Sequence, residues 1–123
     1  MKPVLCKAHG YAVAGGSDIA LCSDMSIMAE TAETGYMPAR VWGRPTTAMW
    51  IYSLGAEKAK RMLFTGDRVT GGQAEAMGLI RKAVPDERLD EEVEDMDARM
   101  TTISVNQLAI QKWSLIRPSR QAV

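Results

Sequence analysis

The chain has 123 residues, of which 46% are hydrophobic and 24% charged, a composition typical of one folded domain and not of a disordered segment. Its formal net charge is +0, so it lacks the basic excess of a general nucleic-acid-binding protein. No apolar run approaches the ~20 residues that a membrane-spanning helix needs, and the first residues do not resemble a secretory signal. The two cysteines form neither a metal-binding pair nor a disulfide framework. We therefore expect a cytoplasmic protein whose cysteines are buried.

The first part of the chain predicts a strand, a helix and a second strand. Residues 3–9 are largely apolar on both faces, as in a buried strand. A small-residue loop from Gly10 leads into a helix that ends near Cys22, and we expect this helix to be buried, with Ser17 as a candidate cap. Residues 25–29 form the second strand. Because a strand–helix–strand unit places both strands side by side in one direction, we expect parallel pairing.

The second part of the chain predicts a long loop and then mostly helices. Residues 30–45 contain glycine and proline breakers, and a loop of this length in a compact domain is usually functional. Asp86 is a candidate cap of the longest helix, and Pro118 is a stop signal for the last one. The other predicted elements are helices at 47–54, 56–64, 72–77, 87–102 and 105–116 and a strand at 79–84. The longest helix has an apolar stripe that needs a cover, formed by Leu89, Val93, Met96 and Met100.

The run Ala14-Gly15-Gly16-Ser17-Asp18 is the sharpest local signal of a functional site. Glycines before a helix leave backbone N–H groups unobstructed, and the helix N-terminus adds partial positive charge, so this turn suits an anion or a developing oxyanion. A tight crossing from strand to helix that simply requires small residues explains the same pattern equally well. Asp18 either interacts with the helix dipole or acts as an acid/base beside the glycines. His9, the only histidine, is interpreted as structural.

Four stretches of the sequence, taken in chain order, form a larger pattern. They are HGYAVAGGSDIALCSD at 9–24, GYMP at 35–38, LGAEKAK at 54–60, and LFTGDRV followed by AEAMGL within 63–79. In order and spacing they resemble the crotonase (enoyl-CoA hydratase/isomerase) superfamily, and the resemblance extends over roughly residues 2–110.

The resemblance implies an α/β fold, a fragment of the crotonase-like spiral of ββα turns followed by C-terminal helices. It divides the chain into a partial core over residues 1–85, without the N-terminal half of the family domain, and a helical segment over residues 86–123 that packs in an oligomer. Proteins of this superfamily act on acyl-CoA thioesters, usually as trimers or paired trimers. The resemblance thus implies a homo-oligomer that needs no metal or separate cofactor, since CoA is part of the substrate.

The resemblance also implies roles for individual residues. In the family, two backbone N–H groups stabilise a thioester enolate; one maps to Gly15, with Gly16 as the alternative, and the other lies in a segment before Met1. A catalytic glutamate of the hydratases maps to Asp18. The implied substrate-binding residues are Ala14, Gly16, Met37, Pro38, Ala39 and Trp42.

The second hydratase glutamate is the main departure from the family pattern. Its position maps to Pro38 or Ala39, and neither side chain can transfer a proton. The resemblance therefore implies an enoyl-CoA hydratase-like protein of fatty-acid or related acyl-CoA metabolism, in which Asp18 is the remaining acid/base. The alternative is a truncated or catalytically inactive remnant of the family with a binding or structural role.

Overall fold

The structure, a computed structural model, describes residues 1–37 and 47–121. Its strands are β1 (Leu5–Ala8), β2 (Tyr11–Val13), β3 (Met25–Ala29), β4 (Glu33–Gly35), β5 (Arg68–Thr70) and β6 (Lys82–Val84). Its α-helices are α1 (Gly15–Cys22), α2 (Thr47–Leu54), α3 (Ala56–Thr65), α4 (Gly71–Ala76), α5 (Leu89–Thr101) and α6 (Val105–Gln121). The fold is mixed α/β, as the sequence predicts.

The strands form two small sheets that repeat one structural unit along the chain. One sheet has the order β1-β3-β6 with parallel neighbours, which confirms the predicted parallel pairing, and the other has the order β2-β4-β5. Leu5 of β1 pairs with Met25 of β3, and Tyr11 of β2 pairs in parallel with Glu33 of β4. The unit β1–β2 is thus stacked on the unit β3–β4, while β1 and β2 each lie at the edge of their sheet.

The core is built around β3, whose residues Ile27, Met28 and Ala29 are at most 1% exposed. A strand buried on both faces has no polar side, which explains its continuous apolar sequence. Helix α5 packs against β1 and β3, and its residues Leu89 and Met96 are buried. The predicted apolar stripe therefore exists, and the chain's own sheet covers it.

Three short strands were not expected from the sequence. β2 lies in the predicted small-residue loop, and β4 lies in the predicted irregular segment at 30–45. β5 begins at the end of the segment 65–68, whose sequence predicts a turn. Each has only three residues, too few for an alternating pattern to be recognisable. They form because successive chain units stack and thereby satisfy each other's backbone hydrogen-bonding groups.

Several predicted element ends are also wrong. Asp86 does not cap α5, because its carboxylate accepts a hydrogen bond from Thr31 Oγ1 at 2.7 Å and a short 3₁₀ turn precedes the helix. The strand predicted at 79–84 is reduced to β6, since residues 79–81 form bends. Helix α6 extends to Gln121, so the prediction that Pro118 ends it is wrong. The sequence also predicts Thr46 as the cap of the helix at 47–54, and this residue lies outside the described residues.

Two ion pairs fix α5 to the β1-β3-β6 sheet. Lys7 Nζ lies 2.6 Å from Asp90 Oδ1, and Lys82 Nζ lies 2.8 Å from Glu92 Oε1. The hydrogen bond from Lys82 lowers the pKa of the Glu92 carboxyl below its ordinary value. The hydrogen bond and the charge of Lys7 likewise lower the pKa of Asp90. Both carboxylates are therefore stabilised in their charged form by the folded structure.

The substitution Lys82→Met is expected to destabilise the protein in a pH-dependent way. Because the folded state lowers the pKa of Glu92, the ion pair stabilises the fold above the ordinary glutamate pKa, and this contribution is lost as the pH falls through the lowered value. Urea unfolding should show a deficit at neutral pH that vanishes in acid. Lys58→Met is the control, since within the described residues the Lys58 ammonium donates a hydrogen bond to the Met77 carbonyl and not to a carboxylate. A Lys82→Met deficit that is constant with pH would contradict the prediction.

Candidate active site

The turn that precedes α1 has an unusual backbone conformation at Ala14. This residue has φ 53° and ψ −124°, and it is the one non-glycine residue with positive φ in the described part of the chain. Its N–H donates to the Gly35 carbonyl at 2.9 Å, and its own carbonyl accepts from the N–H of Ser17 at 3.0 Å. These bonds hold the turn between β4 and the first turn of α1.

The N–H groups of Gly15 and Gly16 are the exposed donors of this turn. Both glycines are exposed, and neither N–H has a hydrogen-bond acceptor within the described residues. They belong to the first turn of α1, whose N–H groups have no intrahelical acceptor and carry partial positive charge. A Cβ built at either position meets no atom of another described segment within 4 Å, so no such segment packs against the Cα atoms of these glycines.

The substitution Ala14→Gly is expected to stabilise the protein. An L-residue with positive φ costs roughly 1–3 kcal/mol, and glycine adopts this conformation without a clash. Glycine also makes the unfolded chain more flexible, so we expect a net gain of about 1 kcal/mol in the free energy of unfolding. Urea unfolding of both forms measures it; a less stable Ala14→Gly protein would show that the conformation is unstrained.

Ser17 lies inside α1, so the prediction that it caps the helix is wrong. It is 1% exposed, and its hydroxyl donates to the Ala14 carbonyl at 2.6 Å. This carbonyl also accepts from the N–H of Asp18 at 3.3 Å. The side chain of Ser17 thus supports the strained turn.

Asp18 follows the glycines by one helical turn and connects α1 to α2. Its Oδ1 accepts a hydrogen bond from Nε1 of Trp50 at 3.4 Å. Trp50 is 0% exposed and is among the largest fully buried side chains. The carboxylate is therefore linked to the protein interior on one side.

On another side, Asp18 faces an open groove of about 470 Å³ between β1 and α1. The residues that line it are Val4, Leu5, Cys6, Asp18, Ile19, Cys22 and Ser23. Ile19 is 73% exposed and Cys22 is also exposed, so the prediction that α1 and both cysteines are buried is wrong. In the described chain, α1 presents an apolar face to solvent, with Asp18 as the carboxylate of the groove.

The residues assigned to substrate binding are only partly within the described structure. Ala14 and Gly16 form the turn, and Met37 is half-buried two residues after Gly35, whose carbonyl binds Ala14. The structure thus brings the segment ending at Met37 beside the glycine turn. Pro38, Ala39 and Trp42 lie outside the described residues, and the binding role of the whole set stays a prediction.

Trp50 is the residue near the site that the sequence analysis missed. In the sequence it is one apolar residue of the helix predicted at 47–54. Nothing in its local pattern indicates a contact with Asp18, which lies 32 positions away. Only the packing of α1 against α2 brings the two together.

Residues 1–37 and 47–121 contain neither a candidate metal site nor a candidate membrane-spanning helix. No three His, Cys, Asp or Glu side chains in these ranges cluster so that they could hold a metal ion. No helix there combines the length and the apolar character needed to cross a bilayer.

Comparison with known proteins supports the motif pattern along the whole sequence. The sequence matches the enoyl-CoA hydratase/isomerase family over residues 1–123. The chain belongs to this family. A crystal structure of an enoyl-CoA hydratase from Mycobacterium smegmatis superposes with a TM-score of 0.93 and 44% sequence identity, covering 98% of this chain and 42% of that one. The crotonase-type fold expected from the motifs is thereby confirmed.

Similar proteins in the family include two hydratases from distant organisms. A probable mitochondrial enoyl-CoA hydratase of Dictyostelium discoideum is 32% identical over 114 residues, which is 90% of this chain and 41% of the relative. A crotonyl-CoA hydratase of Syntrophomonas wolfei is 32% identical over 112 residues, 89% of this chain and 42% of the relative. The chain therefore spans about two fifths of the length of these relatives.

Proposed function

We propose that this chain is enoyl-CoA hydratase-like and acts on acyl-CoA thioesters through an oxyanion-stabilised enolate, in fatty-acid or related acyl-CoA metabolism. The observation that carries the proposal is the pair of exposed N–H groups at Gly15 and Gly16, one helical turn before the Asp18 carboxylate. Donors fixed in the backbone need no reorganisation when negative charge develops on the thioester oxygen. The names of the relatives, hydratases of enoyl-CoA and crotonyl-CoA, support this substrate class.

In the proposed reaction, water adds across the double bond of a 2-enoyl thioester. Asp18 takes a proton from water as the water oxygen bonds to the β-carbon, and the π electrons move to the thioester oxygen. The N–H of Gly15 binds the resulting enolate oxygen. The enolate then collapses as the α-carbon takes the proton from Asp18, so that one water is added and the carboxylate is regenerated.

The replacement of the second family glutamate by Pro38 or Ala39 affects the expected rate. A positioned general acid or base contributes ~10²–10⁴-fold, and here Asp18 would serve as both acid and base. We therefore expect slower hydration than in relatives that have both glutamates. CoA is part of the substrate, and the proposal includes no separate cofactor.

The test is conversion of crotonyl-CoA to 3-hydroxybutyryl-CoA, followed by loss of the enoyl-thioester absorbance. Butyryl-CoA, which lacks the double bond, should inhibit by occupying the site without reacting. Free CoA at the same concentration is the control for binding through the CoA portion alone. Absence of both turnover and butyryl-CoA binding would refute the proposed function.

We also propose that the chain forms a homo-oligomer, a trimer or paired trimers, and that it is cytoplasmic. The assembly is supported by apolar residues of α6 that are at least half exposed, namely Val105, Ile110, Trp113 and Leu115. An exposed apolar surface of this kind often marks an association site. The location is supported by the two cysteines, which are free thiols, as expected in a reducing compartment.

Sedimentation analysis is expected to show a trimer or a multiple of it. Ile110→Glu should shift the population toward smaller species, because it places a charge at an exposed apolar position of α6. Gln111→Glu adds the same charge at the next position, also exposed, and should have less effect. A stable, well-folded monomer of the unmodified chain would contradict the proposal.

A second candidate function is that of a non-catalytic remnant with a binding or structural role. The observation that favours it is that β1 and β2 lie at sheet edges within the described residues, and that β1 borders the apolar groove that contains Val4 and Ile19. Unpaired strand edges accept further strands. In this interpretation, the chain binds a polypeptide that continues both sheets.

The alkylation rate of Cys22 tests this second candidate, because Cys22 is exposed and lies in the groove that the bound polypeptide would cover. The part of the Mycobacterium smegmatis enoyl-CoA hydratase that this chain does not match is expected to protect Cys22 from alkylation. Val4→Asp should abolish protection, whereas Phe64→Asp, at a site 82% exposed on α3, should not. Unchanged alkylation would argue against a binding role at this edge. Binding without any hydration of crotonyl-CoA would favour the second candidate over the first.

A further inference from the structure

The contact between Trp50 and Asp18 joins a buried residue to the candidate acid/base. The Trp50 side chain is 0% exposed, and a buried indole N–H usually has a hydrogen-bond acceptor. Asp18 Oδ1, at 3.4 Å, is the acceptor that the structure provides for it. Leaving a buried donor unsatisfied is unfavourable, so the position of the indole and the orientation of the carboxylate depend on each other.

This contact restricts how Asp18 can face the groove. An aspartate side chain has two rotatable bonds, and a hydrogen bond at Oδ1 limits the rotation of the carboxylate plane. Trp50 cannot easily shift, because α2 packs against both α1 and α3. The hydrogen bond from the indole therefore restrains the orientation of the Asp18 carboxylate at the wall of the groove.

We propose that Trp50 is a positioning residue for Asp18, holding the carboxylate in the orientation in which it acts on the substrate. The inference rests on the proposed role of Asp18 as acid/base. Trp50 itself is sealed from solvent and therefore acts through Asp18, without touching substrate. Reactions that depend on alignment of a catalytic group lose rate steeply when the group is misplaced.

The substitution Trp50→Phe tests the positioning role, because it keeps an aromatic ring in the core and removes the N–H. We expect kcat for crotonyl-CoA hydration to fall about 10-fold or more while KM changes by less than about two-fold. Tyr52→Phe is the matched control: it removes one polar hydrogen from the same helix, at a side chain that is 65% exposed, and should leave both constants unchanged. A purely structural role for Trp50 would lower the amount of folded enzyme without this division between kcat and KM.

A double-mutant cycle tests the contact itself and does not depend on activity. Asp18→Ala and Trp50→Phe should each lower the unfolding midpoint, and their combination should lower it by about 3 °C less than the sum of the two. Additive effects would show that the two side chains do not interact, which overturns the proposal.

The kinetic outcomes separate the inference from the proposed function. If Asp18→Asn is inactive but Trp50→Phe has the kcat of the unmodified protein, the positioning role is wrong and the proposed function stands. If Asp18→Asn is fully active, the acid/base role of Asp18 fails, and the positioning role, which depends on it, fails too, although hydration itself is still observed. If the unmodified protein neither hydrates crotonyl-CoA nor binds butyryl-CoA, the proposed function fails. Loss of kcat in both variants together with coupling in the cycle supports the inference.

Discussion

Replacing Asp18 with asparagine is expected to reduce crotonyl-CoA hydration by ~10²–10⁴-fold, the usual contribution of one positioned acid or base. Asparagine has nearly the same shape and its amide oxygen can still accept the hydrogen bond from Trp50. What it loses is the ability to take a proton from water and return it to the α-carbon. In the proposed assignment Pro38 or Ala39 takes the place of the second family glutamate, so no other carboxylate is assigned to this step. Initial rates of hydration at saturating crotonyl-CoA measure the effect.

A matched control for Asp18→Asn is Glu75→Gln, which neutralises an exposed carboxylate on α4 and should leave the rate unchanged. The complementary variant Ala39→Glu places a carboxylate at one of the two positions proposed for the second family glutamate and should raise the rate. Hydration at the rate of two-glutamate relatives by a fully active Asp18→Asn protein would contradict the assignment.

The substitution Gly15→Val is expected to lower kcat by about two orders of magnitude, as does loss of one oxyanion donor in other enzymes. The reason lies in the open space above Gly15, where a Cβ meets no protein atom within 4 Å. The Cβ of a valine there meets no atom of another described segment, and in the proposed site its methyl groups would hinder the approach of the thioester oxygen to the N–H. Because the fold is expected to tolerate the change, a loss of kcat reports on the ligand and not on folding. Steady-state kinetics with crotonyl-CoA, together with thermal unfolding, separates these two effects.

Gly72→Val is the control for Gly15→Val. Gly72 also lies in the first turn of a helix, α4, is exposed, and has no atom within 4 Å of a built Cβ. Gly72→Val should change thermal stability as much as Gly15→Val does, because both place a β-branched residue in the first turn of a helix. Unlike Gly15→Val, it should leave kcat unchanged. Unchanged kcat in folded Gly15→Val would remove Gly15 from the site, and the same measurement on Gly16→Val then tests the alternative donor. A loss of thermal stability alone would favour the purely structural interpretation of the glycine turn.

Much of the candidate site can be predicted from the sequence because it lies within one short stretch. Gly15, Gly16 and Asp18 are neighbours along the chain, so a helix start between two strands is enough to place donors and carboxylate one turn apart. The strain at Ala14 could not be predicted, since its positive φ results from the bond between its N–H and the Gly35 carbonyl. Trp50 was missed for a similar reason, because its contact with Asp18 joins residues of two helices that lie 32 positions apart in the chain.

The sequence by itself determined the α/β class, the parallel pairing of β1 with β3, the apolar stripe of α5 and the membership of the enoyl-CoA hydratase/isomerase family. These features depend on local periodicity and on motifs in a given order, and both can be recognised in short stretches of sequence. The tertiary structure alone decided the three-residue strands, the covering of α5 by its own sheet and the exposure of Cys22. Each of these features depends on which distant segment of the chain packs against the residues concerned. A three-residue segment or a single side chain has too little sequence pattern to predict that distant partner.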